Sequence, residues 1–186
     1  MALIHTEADL HPDKLDLLGA WVPQQAWGSD AQLAREATFR LDDPAGEVGI
    51  ETFLLRAGDD VLHVPLTYRG APLDGGTLVG ELEHSVLGHR WVYDAATDPV
   101  YVETVTRVVL EGGQQATLEA EDGAVLTPST GASAQGSGVA PGTTAGPLEV
   151  VRRPLAQPGD LDGAAGALTA TWAGQDHPVA LVLLLP

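Results

Sequence analysis

The feature that most constrains the fold is a pair of period-two stretches joined by a turn. Along residues 48–56, Ile50, Thr52 and Leu54 fall on one face of an extended chain and Glu51, Phe53 and Leu55 on the other. Ala57-Gly58-Asp59-Asp60 is a hairpin signal, and residues 61–68 return with Leu62, Val64 and Leu66 on one face. Pro65 lacks the N–H that a ladder needs, which predicts an edge position or a bulge there. Read as an edge, 61–68 also offers a surface on which a second copy could pair, so a homodimer is one expected partnership. Shorter strands are predicted at 38–42, 78–82, 89–93 and 148–151. A closing hairpin, 168–172 with 179–185, turns around Gly174-Gln175-Asp176-His177.

The helical period appears in three places. Over 11–22, Leu15, Leu18 and Val22 share a face with Leu17 and Trp21 beside them, Pro12 and Asp13 suit the start, and Pro23 marks the end. A short helix is expected after Gly28, capped by Ser29 or Asp30. In the third, Asp98 serves as N-cap, Pro99 takes the first helical position, Val102, Val105 and Val109 keep the spacing, and Gly112-Gly113 stops it. From about 124 to 146 the chain is Gly, Ala, Ser, Thr and Pro, a composition that predicts a linker or long loop. The order lacks βαβ alternation. It predicts an α+β fold, an antiparallel sheet with helices packed on one face. The expected organisation is an α+β unit over 1–111, a flexible loop or linker over 112–146, and a strand plus hairpin over 147–186 that completes or extends the sheet.

Composition narrows the chemistry. With no Cys among 186 residues, disulfides, zinc–thiolate sites, iron–sulfur clusters and thiol catalysis are excluded. Nine Lys and Arg stand against 26 Asp and Glu, a net charge of −17, which argues against a nucleic-acid partner. Lys14 is the single lysine, in the first helical stretch, a poor setting for a phosphate-binding or Schiff-base lysine. The start lacks a signal-peptide pattern and the apolar C-terminal run is too short to span a membrane, so a cytoplasmic protein with no membrane partner is expected. Gly136-Ser137-Gly138 lacks the third glycine of a dinucleotide loop, and no Gly-x-Ser-x-Gly elbow occurs. No cofactor is expected.

Six histidines are present, of which His84 and His89 lie near Glu81 and Glu83. Their five-residue separation is not a metal-ligand spacing on a helix, and no metal site is predicted. Acidic pairs such as Asp42/Asp43 and Asp160/Asp162 are too numerous to mark a catalytic cleft and suit turns. Residues 83–99 are denser in chemistry: His84, Arg90, Trp91, Tyr93 and Asp94 fall here, and Tyr68 and Arg69 could join them to line a sugar-sized cleft. The alternative is structural, with Trp91 and Tyr93 in the core, Asp94 and Asp98 fixing a turn and a cap, and Arg90 paired with an acid.

Several segments resemble one family. Leu17-Leu18 with Trp21, Pro23-Gln24-Gln25-Ala26-Trp27, His63-Val64-Pro65-Leu66-Thr67-Tyr68-Arg69, Trp91-Val92-Tyr93-Asp94-Ala95 and Asp98-Pro99 are similar to the N-terminal cap of actinobacterial maltokinases and related aminosugar kinases. The resemblance covers about residues 13–111. It implies a small antiparallel sheet with helices, cystatin-like in topology, that packs on a kinase lobe without being catalytic itself. The chain departs from the family after Trp27, where Gly28-Ser29-Asp30 replaces a lysine-bearing loop. Nothing resembles the kinase catalytic loop or its metal-binding Asp, so no catalytic residue is carried over. The resemblance implies a non-catalytic accessory or binding module near α-glucan, maltose or trehalose metabolism, with a sugar kinase, another protein or a saccharide as partner. Two alternatives stand beside it: a sugar-kinase component or small carbohydrate-active enzyme using His84, Asp94 or Asp98, and a cystatin-like inhibitory module.

Overall fold

The computed structural model describes residues 2–4, 8–127, 130–140 and 142–186. In chain order the elements are β1 (Ala2–Ile4), β2 (Leu10–His11), α1 (Lys14–Trp21), β3 (Leu33–Leu41), β4 (Gly49–Ala57), β5 (Asp60–Arg69), β6 (Leu78–His84), β7 (Gly88–Asp94) and α2 (Pro99–Glu111). Then come β8 (Leu118–Ala120), β9 (Val125–Leu126), β10 (Ser133–Gly136), β11 (Leu148–Val150), β12 (Gly166–Trp172) and β13 (Gln175–Leu184). The class is α+β and mostly antiparallel. A six-stranded sheet runs β2-β6-β7-β5-β4-β3, a four-stranded sheet runs β10-β12-β13-β11, and β1, β8 and β9 form a small third sheet.

The alternation along β4 and β5 sets the architecture. Phe53, Leu55, Leu62, Val64 and Leu66 point to one side, where Leu18 and Trp21 of α1 and the following Val22 cover them. Ile50, Leu54 and Val61 point to the other, where Tyr101, Val105 and Val109 of α2 join Leu168, Leu181 and Val182 of the second sheet. Both faces are apolar, so both need cover. The two helices therefore lie on opposite faces of the six-stranded sheet, which corrects the expectation of helices on one face.

The helix ends follow the sequence signals. Asp13 accepts a hydrogen bond from the Leu15 N–H (2.7 Å) and Asp98 from the Val100 N–H (2.9 Å), with Pro99 at the first turn and Gly112 at the stop. The short helix expected after Gly28 is absent. Ser29 Oγ only closes a local turn to the Ala31 N–H (3.2 Å), and the chain enters β3, where Ala37, Phe39 and Leu41 are buried with period two.

Pro65 is not on an edge. β5 pairs with β4 along its length and with β7 from Leu66 to Arg69. On the β7 side of the remaining stretch, His63 N–H donates to the Arg152 carbonyl (2.9 Å). Two residues on, the Pro65 nitrogen faces the same side, in the gap between that bond and the start of the β7 ladder. Hence β5 is central and cannot offer the dimer-forming edge read from the sequence. The Gly- and Ala-rich stretch expected to be a linker contributes β9 and β10. Ala134 is buried in the core with α2, and a Cβ at Gly136 would run into the Val108 carbonyl. Small residues here allow a strand to approach a helix backbone closely.

Candidate functional site

At one end of the six-stranded sheet a cleft of about 470 Å³ opens between β2, the β6–β7 strands and the turn joining β3 to β4. Its apolar wall includes Leu10, Leu82, Leu87 and Ile50, and its polar groups include Lys14, Arg40, Tyr68, His84 and Arg90. Each reaches the cleft for a local reason. α1 is amphipathic and sends Lys14 back over the sheet face. Tyr68 sits on the same face of β5 as Leu66, Arg90 on the Val92 face of β7, and Arg40 near the end of β3.

The floor is a buried ionic cluster. Glu51 accepts from Lys14 Nζ (2.6 Å) and Arg40 Nη2 (3.3 Å), and the Lys14 ammonium lies 5.1 Å from the centre of the Tyr68 ring. Desolvation pushes the Glu51 pKa up, but the Lys14 and Arg40 charges outweigh it and hold the carboxyl at about 2. Burial lowers the Lys14 pKa against the raising pull of Glu51. Burial and the Glu51 charge raise the Tyr68 hydroxyl well above its usual value, so it stays a neutral donor. His84 Nδ1 accepts from the backbone N–H groups of Val86 and Leu87 (both 3.2 Å), which fixes the tautomer with its proton on Nε2. Arg90 is half-buried, with Nη1 lying over the bare backbone of Gly70. It makes no hydrogen bond or ion pair among the described residues.

Of the seven residues singled out from the sequence, Tyr68, His84 and Arg90 meet in this cleft. The other four go elsewhere. Arg69 forms a two-pronged pair with Asp98 (2.7 and 2.6 Å), tying β5 to the start of α2. Tyr93 is buried and its hydroxyl accepts from the Leu73 N–H (2.8 Å). Asp94 is buried against Arg152, with both oxygens within 2.7 Å of Nη2. Trp91 packs edge-on to His89, ring centres 4.4 Å apart, on the opposite side of β7. His89 in turn spends its nitrogens on Glu83 (2.7 Å) and Glu81 (3.0 Å). No cluster of three or more His, Asp or Glu able to hold a metal occurs among the described residues. No helix among them is long and apolar enough to cross a membrane.

Sequence reasoning missed Lys14, Arg40 and Glu51. Two signals pointed to Lys14 and Glu51, the single lysine of the chain and a carboxylate in the apolar run from Ile50 to Leu55; none pointed to Arg40.

Most of the six-stranded sheet and of the cleft falls in a segment that matches a known family. Residues 21–98, a little under half the chain, match the family of the maltokinase N-terminal cap domain. The matched stretch runs from the end of α1 through β3–β7 to the N-cap of α2, and holds every residue of the cleft named above except Leu10 and Lys14. No curated protein and no solved structure matches the chain.

Proposed function

We propose that the chain acts as a binding module of the maltokinase-cap kind, without catalysis of its own, and that it recognises a saccharide-sized ligand linked to α-glucan, maltose or trehalose metabolism. The observation that carries this reading is the cleft of about 470 Å³, within the size range of small-molecule sites. An apolar wall, a tyrosine and several hydrogen-bond donors suit a ring with one greasy face and a polar edge. The metabolic link and the cystatin-like topology rest on the family resemblance alone. A sugar kinase is the protein partner that resemblance favours.

The test is calorimetric titration of the full chain with maltose, trehalose and maltotetraose. Calorimetry is preferred to tryptophan fluorescence because no tryptophan lines the cleft. Saturable heat at millimolar sugar, abolished by Tyr68→Ala, is the expected result. A flat titration with all three sugars would leave protein partnership as the better reading. Phosphate transfer from ATP to any of the sugars by the pure chain would overturn the non-catalytic part.

A further inference from the structure

We propose that the cleft selects a small organic acid, a ring-sized molecule bearing one oxyanion, and that Arg90 is the residue that takes the oxyanion. The inference rests on the reading of the cleft as a binding site and commits it to a ligand charge.

The argument begins with a donor count. A guanidinium carries five N–H groups and an ammonium three. Glu51 takes one contact from Lys14 and one from Arg40, both of which line the cleft, so neither spends all its donors on it. Arg90 has none engaged among the described residues. Most of the other arginines are engaged. Arg56 pairs with Glu36, Arg69 with Asp98, Arg152 with Asp94 and Arg153 with Asp60, while Arg107 donates to the Asp42 carbonyl (3.3 Å) and Arg35, without an ion pair among the described residues, lies 5.7 Å from the Phe53 ring centre. In a chain of net charge −17, a half-buried arginine with no partner among the described residues, in a cleft shared with two further cations, is a site short of an anion. The planar fork suits a carboxylate or a phosphate ester, and the apolar wall of Leu10, Leu82 and Leu87 accommodates the body behind it.

Opposing charge limits the ligand to one small anion. Asp42, Asp43 and Glu47 line the cleft on the β3–β4 turn. Asp43 spends its oxygens on the N–H groups of Ala45, Glu47 and Val48. The β4 strand beside that turn lies two strands from β7 in the sheet, roughly 10 Å at the usual strand spacing. That is about a screening length at physiological salt, so the acids weaken anion binding without cancelling a direct contact to Arg90. A polyanion would meet both the turn and the net charge and be rejected.

The experiment titrates the full chain by calorimetry with three probes that share one ring: glucose, glucuronate and glucose 6-phosphate. We expect at least one acid to bind about tenfold or more tighter than glucose, a difference of about 1.4 kcal/mol. The acid that does so separates carboxylate from phosphate recognition. Arg90→Gln should erase the preference, Arg90→Lys should retain part of it, and Arg56→Gln, remote from the cleft, should leave it intact. Circular dichroism confirms folding; should Arg90→Gln not fold, the Lys variant with a salt series supplies the test, through a preference that shrinks as salt rises. Glucose binding as tightly as both acids overturns the charge assignment and leaves the cleft reading standing. An acid preference that survives in Arg90→Gln overturns the role of Arg90. No heat from these probes or from maltose overturns both.

Discussion

Two hollows of similar size hold arginines used in opposite ways. The cleft of about 470 Å³ contains Arg90, with no partner among the described residues. A second hollow of about 510 Å³ is lined by Trp27, Arg152 and Arg153 among others. There the charges are engaged in architecture. Arg152 binds Asp94 and stacks 4.6 Å from the Trp27 ring centre, while Arg153 holds the carbonyls of Trp27 and Gly28 and pairs with Asp60 (2.7 Å). These two adjacent residues follow β11 and fasten the second sheet to the matched cap segment. Volume does not distinguish a recognition site from a seam. The availability of donors does.

If the seam is structural, breaking it should give the largest effect. Arg152→Ala strands the buried Asp94 carboxylate and removes the stacking on Trp27. Removing one partner of a buried pair costs about 3–5 kcal/mol. For a chain of this size that lowers the melting temperature by roughly 10 °C, measurable by calorimetry. A loss under about 1 kcal/mol would erase the contrast between the two hollows. Gly28→Ala should act in the same direction, because its Cβ would run into the Val22 carbonyl.

The same seam predicts a pH dependence. His63 is fully buried, and its Nδ1–H donates to the Val151 carbonyl (3.1 Å) beside Arg152. Desolvation, then the Arg152 charge, lowers its pKa to about 3. Below pH 6.5 the unfolded chain takes up a proton that the folded chain refuses. The stabilisation is thus complete above 6.5 and lost as pH falls toward 3, at about 1.4 kcal/mol per pH unit. Glu51, held at about 2, contributes its own loss only below about 4.5. Exposed His89, raised by Glu83 and Glu81, acts with the opposite sign. Chemical denaturation between pH 6.5 and 4.5 should therefore show a decline of about 2–3 kcal/mol that His63→Gln removes. An unchanged slope in that variant would detach the histidine from the effect.

The cleft should respond differently when its floor is neutralised. Lys14→Met alone leaves Glu51 to Arg40 at 3.3 Å and should cost about 1–3 kcal/mol. Lys14→Met with Glu51→Leu replaces the pair with apolar groups, and such exchanges are often neutral or stabilising. The double variant should recover most of the lost stability and, because Arg90 is untouched, keep the preference for an acid. Recovered stability with that preference gone would move the oxyanion from Arg90 to Lys14.

These contrasts also mark what the sequence could disclose. The β4–β5 hairpin, the α1 and α2 caps and the resemblance over β3–β7 all arise from local patterns: alternation, Asp before a helix, short family motifs. The two-sided burial of the sheet was equally present, since Phe53 and Leu54 are apolar on opposite faces, but it shows only when the alternating residues are asked what covers each side. β10 was hidden because Ala and Gly read as loop until a helix backbone approaches them. The site was half legible. Tyr68, His84 and Arg90 stand in suggestive segments, but their separation from Trp91 and Tyr93 follows from β7 sending odd and even residues to opposite faces. Lys14 meets Glu51 across 37 residues, a contact no local pattern encodes.

The smallest expected effect closes the comparison from the other side. Arg90 touches no acid among the described residues, so Arg90→Gln removes no ion pair and strands no carboxylate. Its aliphatic stem packs at a half-buried position, and glutamine preserves part of that cover. The stability change should stay within about 0.5 kcal/mol, as for other substitutions that break no buried contact. Added glucuronate should separate the two proteins, stabilising the native chain and not the variant, because only a ligand that binds the folded state raises its melting temperature. A substantial loss of stability in Arg90→Gln without ligand would mean that Arg90 holds the fold together as Arg152 does, and that the two hollows are one kind of feature after all.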